Sequence, residues 1–179
     1  ASDVYKRQVL LVANALFFIV PSSVEAAPEI VSMTPSPTNA DGTTPTTNVP
    51  TDVHLEIGFS HPMNTDSVGD STLRLIKLTA PGGSIVSSWD IRLDASYTNA
   101  QANIAASWHT TPRGVDTLLK VVSKDSNGDG APDFSLDPGT TYQEQMVDNQ
   151  ERDTNDLHLI LGGAIDLSSG YQFTTGTLQ

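Results

Sequence analysis

The stretch Asp125-Ser126-Asn127-Gly128-Asp129-Gly130-Ala131-Pro132-Asp133 sets oxygen-bearing groups at alternate positions. That spacing suits a hard divalent cation, because calcium takes six to eight oxygens at about 2.3–2.6 Å. Asp125, Asn127 and Asp129 present side-chain oxygens to one concavity, and Gly130 permits the sharp turn. The Ala131 carbonyl ligates next, and Asp133 adds a carboxylate directly or through water. The expected metal set is therefore Asp125, Asn127, Asp129, Ala131 and Asp133, with Ca2+ as the ion. An EF-hand loop would close on a bidentate glutamate at its twelfth position. Here that position is Leu136, so a complete EF-hand is absent and further oxygens must come from elsewhere, Asp137 being a candidate. The competing reading is an Asx- and glycine-rich turn without metal. Outside a cell, calcium is millimolar, and even a site of about 10⁻⁴–10⁻³ M fills.

Other chemistry is sparse. Asp148 to Asp156 is a second acidic run, but its spacing fits no metal loop and it reads as a solvated loop. The histidines His54, His61, His109 and His158 are scattered without metal-ligand spacing. Neither a His-Glu-x-x-His, a Gly-x-Ser-x-Gly nor a phosphate-cradling glycine loop occurs. No catalytic or cofactor-binding residue is assigned, and a non-enzyme is expected. A Ser/His/Asp triad is assembled in space, so sequence alone leaves that arrangement open. Trp89 and Trp108 could stack on a sugar, but each is in phase with apolar neighbours, which favours burial. Trp108, beside His109, is the better placed of the two for exposure.

The 179 residues carry 9 Lys+Arg against 21 Asp+Glu, a net charge of -12. Such a balance argues against nucleic acid, whose phosphates need a basic surface. Cysteine is absent, which excludes disulfides, thiolate metal sites and thiol catalysis. Charged residues are 17% of the chain, so its polarity comes from Ser, Thr, Asn and Gly, as in β-rich extracellular domains.

Lys6 and Arg7 precede an apolar run from Val9 to Val20, Pro21 ends it, and Val24-Glu25-Ala26 offers small residues for cleavage. This is the pattern of a secretory signal over residues 1–26. The run is short of the ~20 apolar residues of a membrane anchor, so no membrane span is expected after cleavage. Residues 1–8 lack an initiator Met and read as a remnant rather than coded protein. One domain is expected over 27–179; removing 1–26 leaves 7 basic against 19 acidic residues, still -12.

The mature chain reads as strands. Val53, Leu55, Ile57 and Phe59 alternate with His54, Glu56 and Gly58, the period of a half-buried strand. Further strands are expected at Pro28–Met33, Thr72–Leu78, Asn103–Trp108, Val115–Val122 (whose Leu118-Leu119 pair also permits helix), Thr141–Met146, Leu157–Leu161 and Gly170–Thr175. Ile85, Ser87, Trp89, Ile91 and Leu93 share the face of one more strand after the Pro81-Gly82-Gly83 turn. The proline-rich 35–50 region reads as punctuation. Short alternating strands between Gly/Pro/Asn turns imply an all-β sandwich or barrel.

Particular strings then carry a resemblance. Pro28-Glu29-Ile30-Val31, Ser36-Pro37, Asn48-Val49-Pro50, Phe59-Ser60-His61-Pro62-Met63-Asn64, Ser67-Val68, Leu136-Asp137-Pro138-Gly139-Thr140-Thr141-Tyr142 and Phe173-Thr174-Thr175 occur in that order. Over residues 28–176 they resemble the SbsA-type bacterial immunoglobulin-like domain, and the Phe-Ser-His-Pro-Met-Asn string is the most specific of them. The resemblance implies an immunoglobulin-like Greek-key sandwich of about seven strands, used as a module in surface-layer proteins, adhesins and secreted enzymes, with no catalysis of its own. Two features depart from it: an insert around 97–134, and Asp148 to Asp156 where the family has Asp-x-x-Gly-Asn. The Asp125–Asp133 string resembles the calcium loops of thrombospondin type 3 repeats. Tyr142 reads either as a simple core aromatic or as a corner residue whose hydroxyl caps a loop.

These readings converge on a structural or adhesive module of a secreted or cell-surface bacterial protein, stabilised by calcium. Its partners would be neighbouring modules or cell-surface components. The alternatives are a carbohydrate-binding module, with Trp108 and the insert as the sugar face, and an accessory fragment of a secreted hydrolase.

Overall fold

The alternation around Leu55 dictates the centre of the fold. Leu55, Ile57 and Phe59 are at most 1% exposed, and burying each such side chain stabilises by about 1.5–3 kcal/mol. The computed structural model describes residues 25–36, 44–67, 73–91, 104–125, 127–146, 151–160, 165, 167–168 and 170–177. Residues 1–24 of the expected signal, Ser126, Arg92 to Asn103, Asp148 to Gln150 and Leu161 lie outside that set.

Among the described residues, nine strands form two sheets. The first orders β1 (Ile30–Thr34), β3 (His54–Phe59), β7 (Gly114–Ser123) and β6 (Ile104–Thr111), all antiparallel. The second orders β2 (Thr46–Val49), β9 (Tyr171–Thr175), β8 (Thr141–Met146), β4 (Leu73–Leu78) and β5 (Ile85–Asp90). Its pairs are antiparallel except β2 with β9, which run parallel. The chain changes sheet between β1 and β2, β2 and β3, β3 and β4, β5 and β6, and β7 and β8. The protein is an all-β sandwich, and the described residues contain one 3-10 turn, Thr65–Ser67, and no α-helix. Among them, no helix is long and apolar enough to cross a membrane.

One core joins the inner faces, with Ile30, Leu55, Ile57, Phe59, Leu119 and Val121 from the first sheet and Leu73, Leu75, Tyr142, Met146, Tyr171 and Phe173 from the second. Tyr142 stacks on Phe173 with centroids 5.8 Å apart, and Phe59 meets Trp108 at 5.7 Å.

The Phe59–Asn64 string rivets one end of the sandwich. Ser60 donates its amide to the Glu29 carbonyl (2.9 Å), and its hydroxyl accepts the Glu29 amide (2.8 Å). Met63 donates to the Asp116 carbonyl, Asn64 to the Arg152 carbonyl, and the Pro62 carbonyl accepts from Thr154. Pro62 donates nothing and so ends the ladder, while Met63, 1% exposed, fills the end of the core.

Four expectations are corrected. Thr46–Val49 is a strand although the 35–50 region reads as punctuation; its partner β9 is remote in sequence, so no local signal marks the pairing. Residues 157–160 form no strand; Arg152–His158 and Glu29–Ile160 are isolated bridges, and only Leu159 enters the core. Ile85, expected to share a face with Trp89 and Ile91, is 64% exposed because the β4–β5 register shifts between Lys77 and Leu78: Trp89 pairs with the core residue Leu75, whereas Ile85 pairs with Leu78, which is out of phase with Leu75. Lastly, the second acidic run is not simply a solvated loop, since Glu151 is 0% and Asp153 1% exposed. The segment folds back over the sandwich, pairing with Asn64 and Pro28, while Asp153 Oδ1 accepts the amides of Asn155 (2.8 Å) and Leu157 (2.9 Å).

Candidate metal site

Of the 97–134 stretch, residues 104–123 build the β6–β7 hairpin of the first sheet. The metal-ligand string leaves the end of β7. Its neck is closed by the Asp133 amide on the Lys124 carbonyl (2.7 Å) and by the Phe134 amide on the Ser123 hydroxyl (3.0 Å). Leu136 then returns to the core at 2% exposure, with its amide on the Thr51 carbonyl. The loop is thus hung from two anchored points.

Within it, Asp125 organises the backbone. Its Oδ1 accepts the amides of Gly128 (2.7 Å) and Asp129 (3.1 Å), and its Oδ2 accepts that of Gly130 (2.9 Å). Three amides converge only because Gly128 and Gly130 hold φ of +73° and +82°, a region where side-chain-bearing residues are strained. Asn127 Oδ1 accepts the Asp129 amide (3.0 Å), Asn127 Nδ2 donates to Asp129 Oδ2 (3.0 Å), and Asp129 Oδ1 accepts the Ala131 amide (2.8 Å). The structure therefore brings Asp125, Asn127, Asp129 and Ala131 into one hydrogen-bonded turn, with Asp133 half-buried at its neck. Asp137, the candidate for an added ligand, forms an ion pair with Lys77 that raises the lysine's pKa.

An oxygen acceptor of this kind has two lone pairs. Asp125 Oδ2, Asn127 Oδ1 and both Asp129 oxygens each accept one bond in the turn, leaving one lone pair apiece for a cation. The donor set is hard and oxygen-only, which suits calcium. The described residues nevertheless contain no group of three or more His, Asp or Glu side chains gathered closely enough to hold a metal. An ion would have to draw Asp129 and Asp133 inward.

The other candidates fall apart in space. Ser60 Oγ lies 2.8 Å from His61 Nδ1, and Ser107 Oγ lies 2.9 Å from His109 Nε2; no carboxylate completes either pair among the described residues. Trp89 and Trp108 lie on different sheets and pack against the core, Trp89 edge-on to Phe134 at 5.6 Å. They form no common sugar platform. Clefts of about 450 Å³ and 370 Å³ open on the surface, and neither is lined by an indole.

Glu144 belongs to none of the sequence motifs above. It is 0% exposed on β8, neither carboxyl oxygen has a hydrogen-bond partner, and burial pushes its pKa up to about 8. The signal was present in the alternation, because Glu144 is in phase with Tyr142 and Met146.

No family model and no curated protein matches the chain. Three solved structures are similar to it. These are the S-layer protein rSbsC(31-844), at 10% identity, TM-score 0.41, covering 95% of this chain and 16% of that one; domains 1-6 of the surface layer protein SbsC, at 10%, 0.42, 95% and 16%; and the N-terminal part of the bacterial S-layer protein SbsC, at 11%, 0.41, 98% and 29%. The chain spans less than a third of each of these structures, so a functional reading has to come from its own residues.

Proposed function

We propose that this chain is a non-catalytic structural module of a secreted or cell-surface protein, placed in series with neighbouring modules. The observation that carries the reading is the path of the backbone. The chain enters at Glu29, held to Ser60 and bridged to Ile160 at the Phe59–Met63 end. It leaves at Gly176, held to Val49 and Gly139 at the His54–Leu136 end. Entry and exit lie at opposite ends of the sandwich. Tension between them runs along the strands and loads the β1–β3 and β2–β9–β8 ladders in shear, where hydrogen bonds resist together rather than one by one. The order β1-β3-β7-β6 facing β9-β8-β4-β5 matches an immunoglobulin-like sandwich, which further supports the reading.

Calcium takes a secondary place in this proposal. Bound at Asp125, Asn127, Asp129, Ala131 and Asp133, it would cancel carboxylate repulsion and tie the loop to its neck. Because the carboxylates are not gathered beforehand, the ion's binding energy is partly spent ordering them, which points to the weak affinities that suffice outside cells.

The test is single-molecule extension with handles on either side of residues 25–177. A load-bearing module unfolds in one cooperative event at high force. Gradual extension at low force would overturn the proposal.

A further inference from the structure

We propose that Glu144 makes this sandwich a pH-responsive module that is tight when the buried carboxyl is protonated and loosens as it ionises. Glu144 lies in the middle of β8 with its side chain on the inner face. Its cross-strand neighbours are Leu75 on β4 and Tyr171 on β9, at 0% and 1% exposure, and its in-phase neighbours Tyr142 and Met146 are both 1% exposed. A carboxylic acid in such a place is uncharged, and its ionisation leaves an anion with neither water nor a donor. The residue gains nothing as a core filler that leucine would not supply, so the carboxyl is a cost that titration turns on and off.

The surroundings offer no compensation. Among the described residues, the inner row of the opposite sheet around Leu55, Ile57, Phe59, Leu119 and Val121 contains no ionisable group. On β4, Lys77 is committed to Asp137, and Arg74 is bonded to Asp90 at 2.9 Å. On β9, Tyr171 meets the carbonyl of Ser36 and the hydroxyl of Thr46, and burial, the largest influence, raises its phenol pKa. Glu151 and Asp153, the other buried carboxyls, belong to the 151–160 loop, where Asp153 caps a turn. Burial raises the pKa of Glu144, and the charge of its carboxylate in turn helps to raise that of the Tyr171 phenol.

The sign follows from proton counting. A carboxyl that titrates near 8 when folded, against an ordinary 4.5, keeps a proton that the unfolded chain has released. Its contribution is fully present below 4.5, falls through the interval up to about 8, and is constant above it. Across that interval the folding equilibrium weakens by about 10³-fold.

Urea unfolding of the whole chain at pH 5, 7 and 9 tests this, with Glu144→Gln and Glu144→Leu alongside. The wild type is expected to lose about 10³-fold in the folding equilibrium from pH 5 to 9, while both variants change less than tenfold from this source. Parallel pH profiles for wild type and Glu144→Leu would overturn the proposal. If neither variant folds, carboxyl-carbon NMR of the wild type decides it: a Glu144 midpoint near 8 supports the proposal, and one below 5.5 ends it.

Discussion

Removing one oxygen atom, in Tyr142→Phe, probes how the sandwich is closed at its Leu136–Thr141 corner. The Tyr142 ring is 1% exposed, stacked on Phe173 and tilted against Trp89 at 6.4 Å, and phenylalanine preserves all of that. What disappears is the acceptor of the Asp137 amide, 2.9 Å from the hydroxyl oxygen. The same residue's carbonyl accepts the Thr175 hydroxyl (2.6 Å), which also accepts the Thr140 amide (2.9 Å), so the corner is otherwise stitched and will not collapse to rescue the orphan. An amide left unpaired in a part-buried place costs about 1–3 kcal/mol, and partial access of water at this corner favours the lower half. For a domain of this size each kcal/mol moves Tm by about 2–4 °C. The variant should melt about 2–8 °C lower by circular dichroism, with an unchanged far-ultraviolet spectrum and faster hydrogen exchange at the Asp137 amide. An unaltered Tm together with unaltered exchange at Asp137 would refute the assignment of this hydroxyl as a loop cap.

Three other outcomes follow from the same reasoning. Phe59→Ala empties a 0% exposed site beside Trp108 and should lower stability by about 3–5 kcal/mol, read as a drop in the urea midpoint at constant slope. Gly139→Ala should cost about 1–2 kcal/mol by thermal unfolding, because φ is +61° at the Pro138–Gly139 turn and the new Cβ would sit 3.1 Å from Thr177 Cγ2. Millimolar calcium should raise Tm relative to chelator, and Asp129→Ala should abolish the difference; identical melting curves for the wild type with and without calcium would remove the metal from the proposal.

How much of the molecule was written locally can be judged residue by residue. Alternation alone placed Leu55, Ile57 and Phe59 inside, because the strand's period of two is a property of the backbone. Thr141–Met146 is a strand to the residue as expected, and Tyr142, read either as a core aromatic or as a corner cap, is both: it is 1% exposed and its hydroxyl accepts the Asp137 amide. The glycines of the 125–133 loop announced a turn, since only such residues accept its backbone angles at little cost. Tertiary structure decided the rest. Thr46–Val49 is a strand only because β9 lies beside it. Glu151 and Asp153 look solvated in sequence and are buried because their segment folds over the Phe59–Asn64 end. Ile85 alternates with Trp89 in sequence yet is exposed because the register shift against β4 turns it off the face that Trp89 shares with Leu75. Glu144 shares the core phase, but that nothing meets its carboxyl depends on which side chains the opposite sheet brings across. Periodicity and turn chemistry act over a few bonds and are legible in order, whereas pairing partners, coverage and desolvation depend on residues that only the closed sandwich brings together.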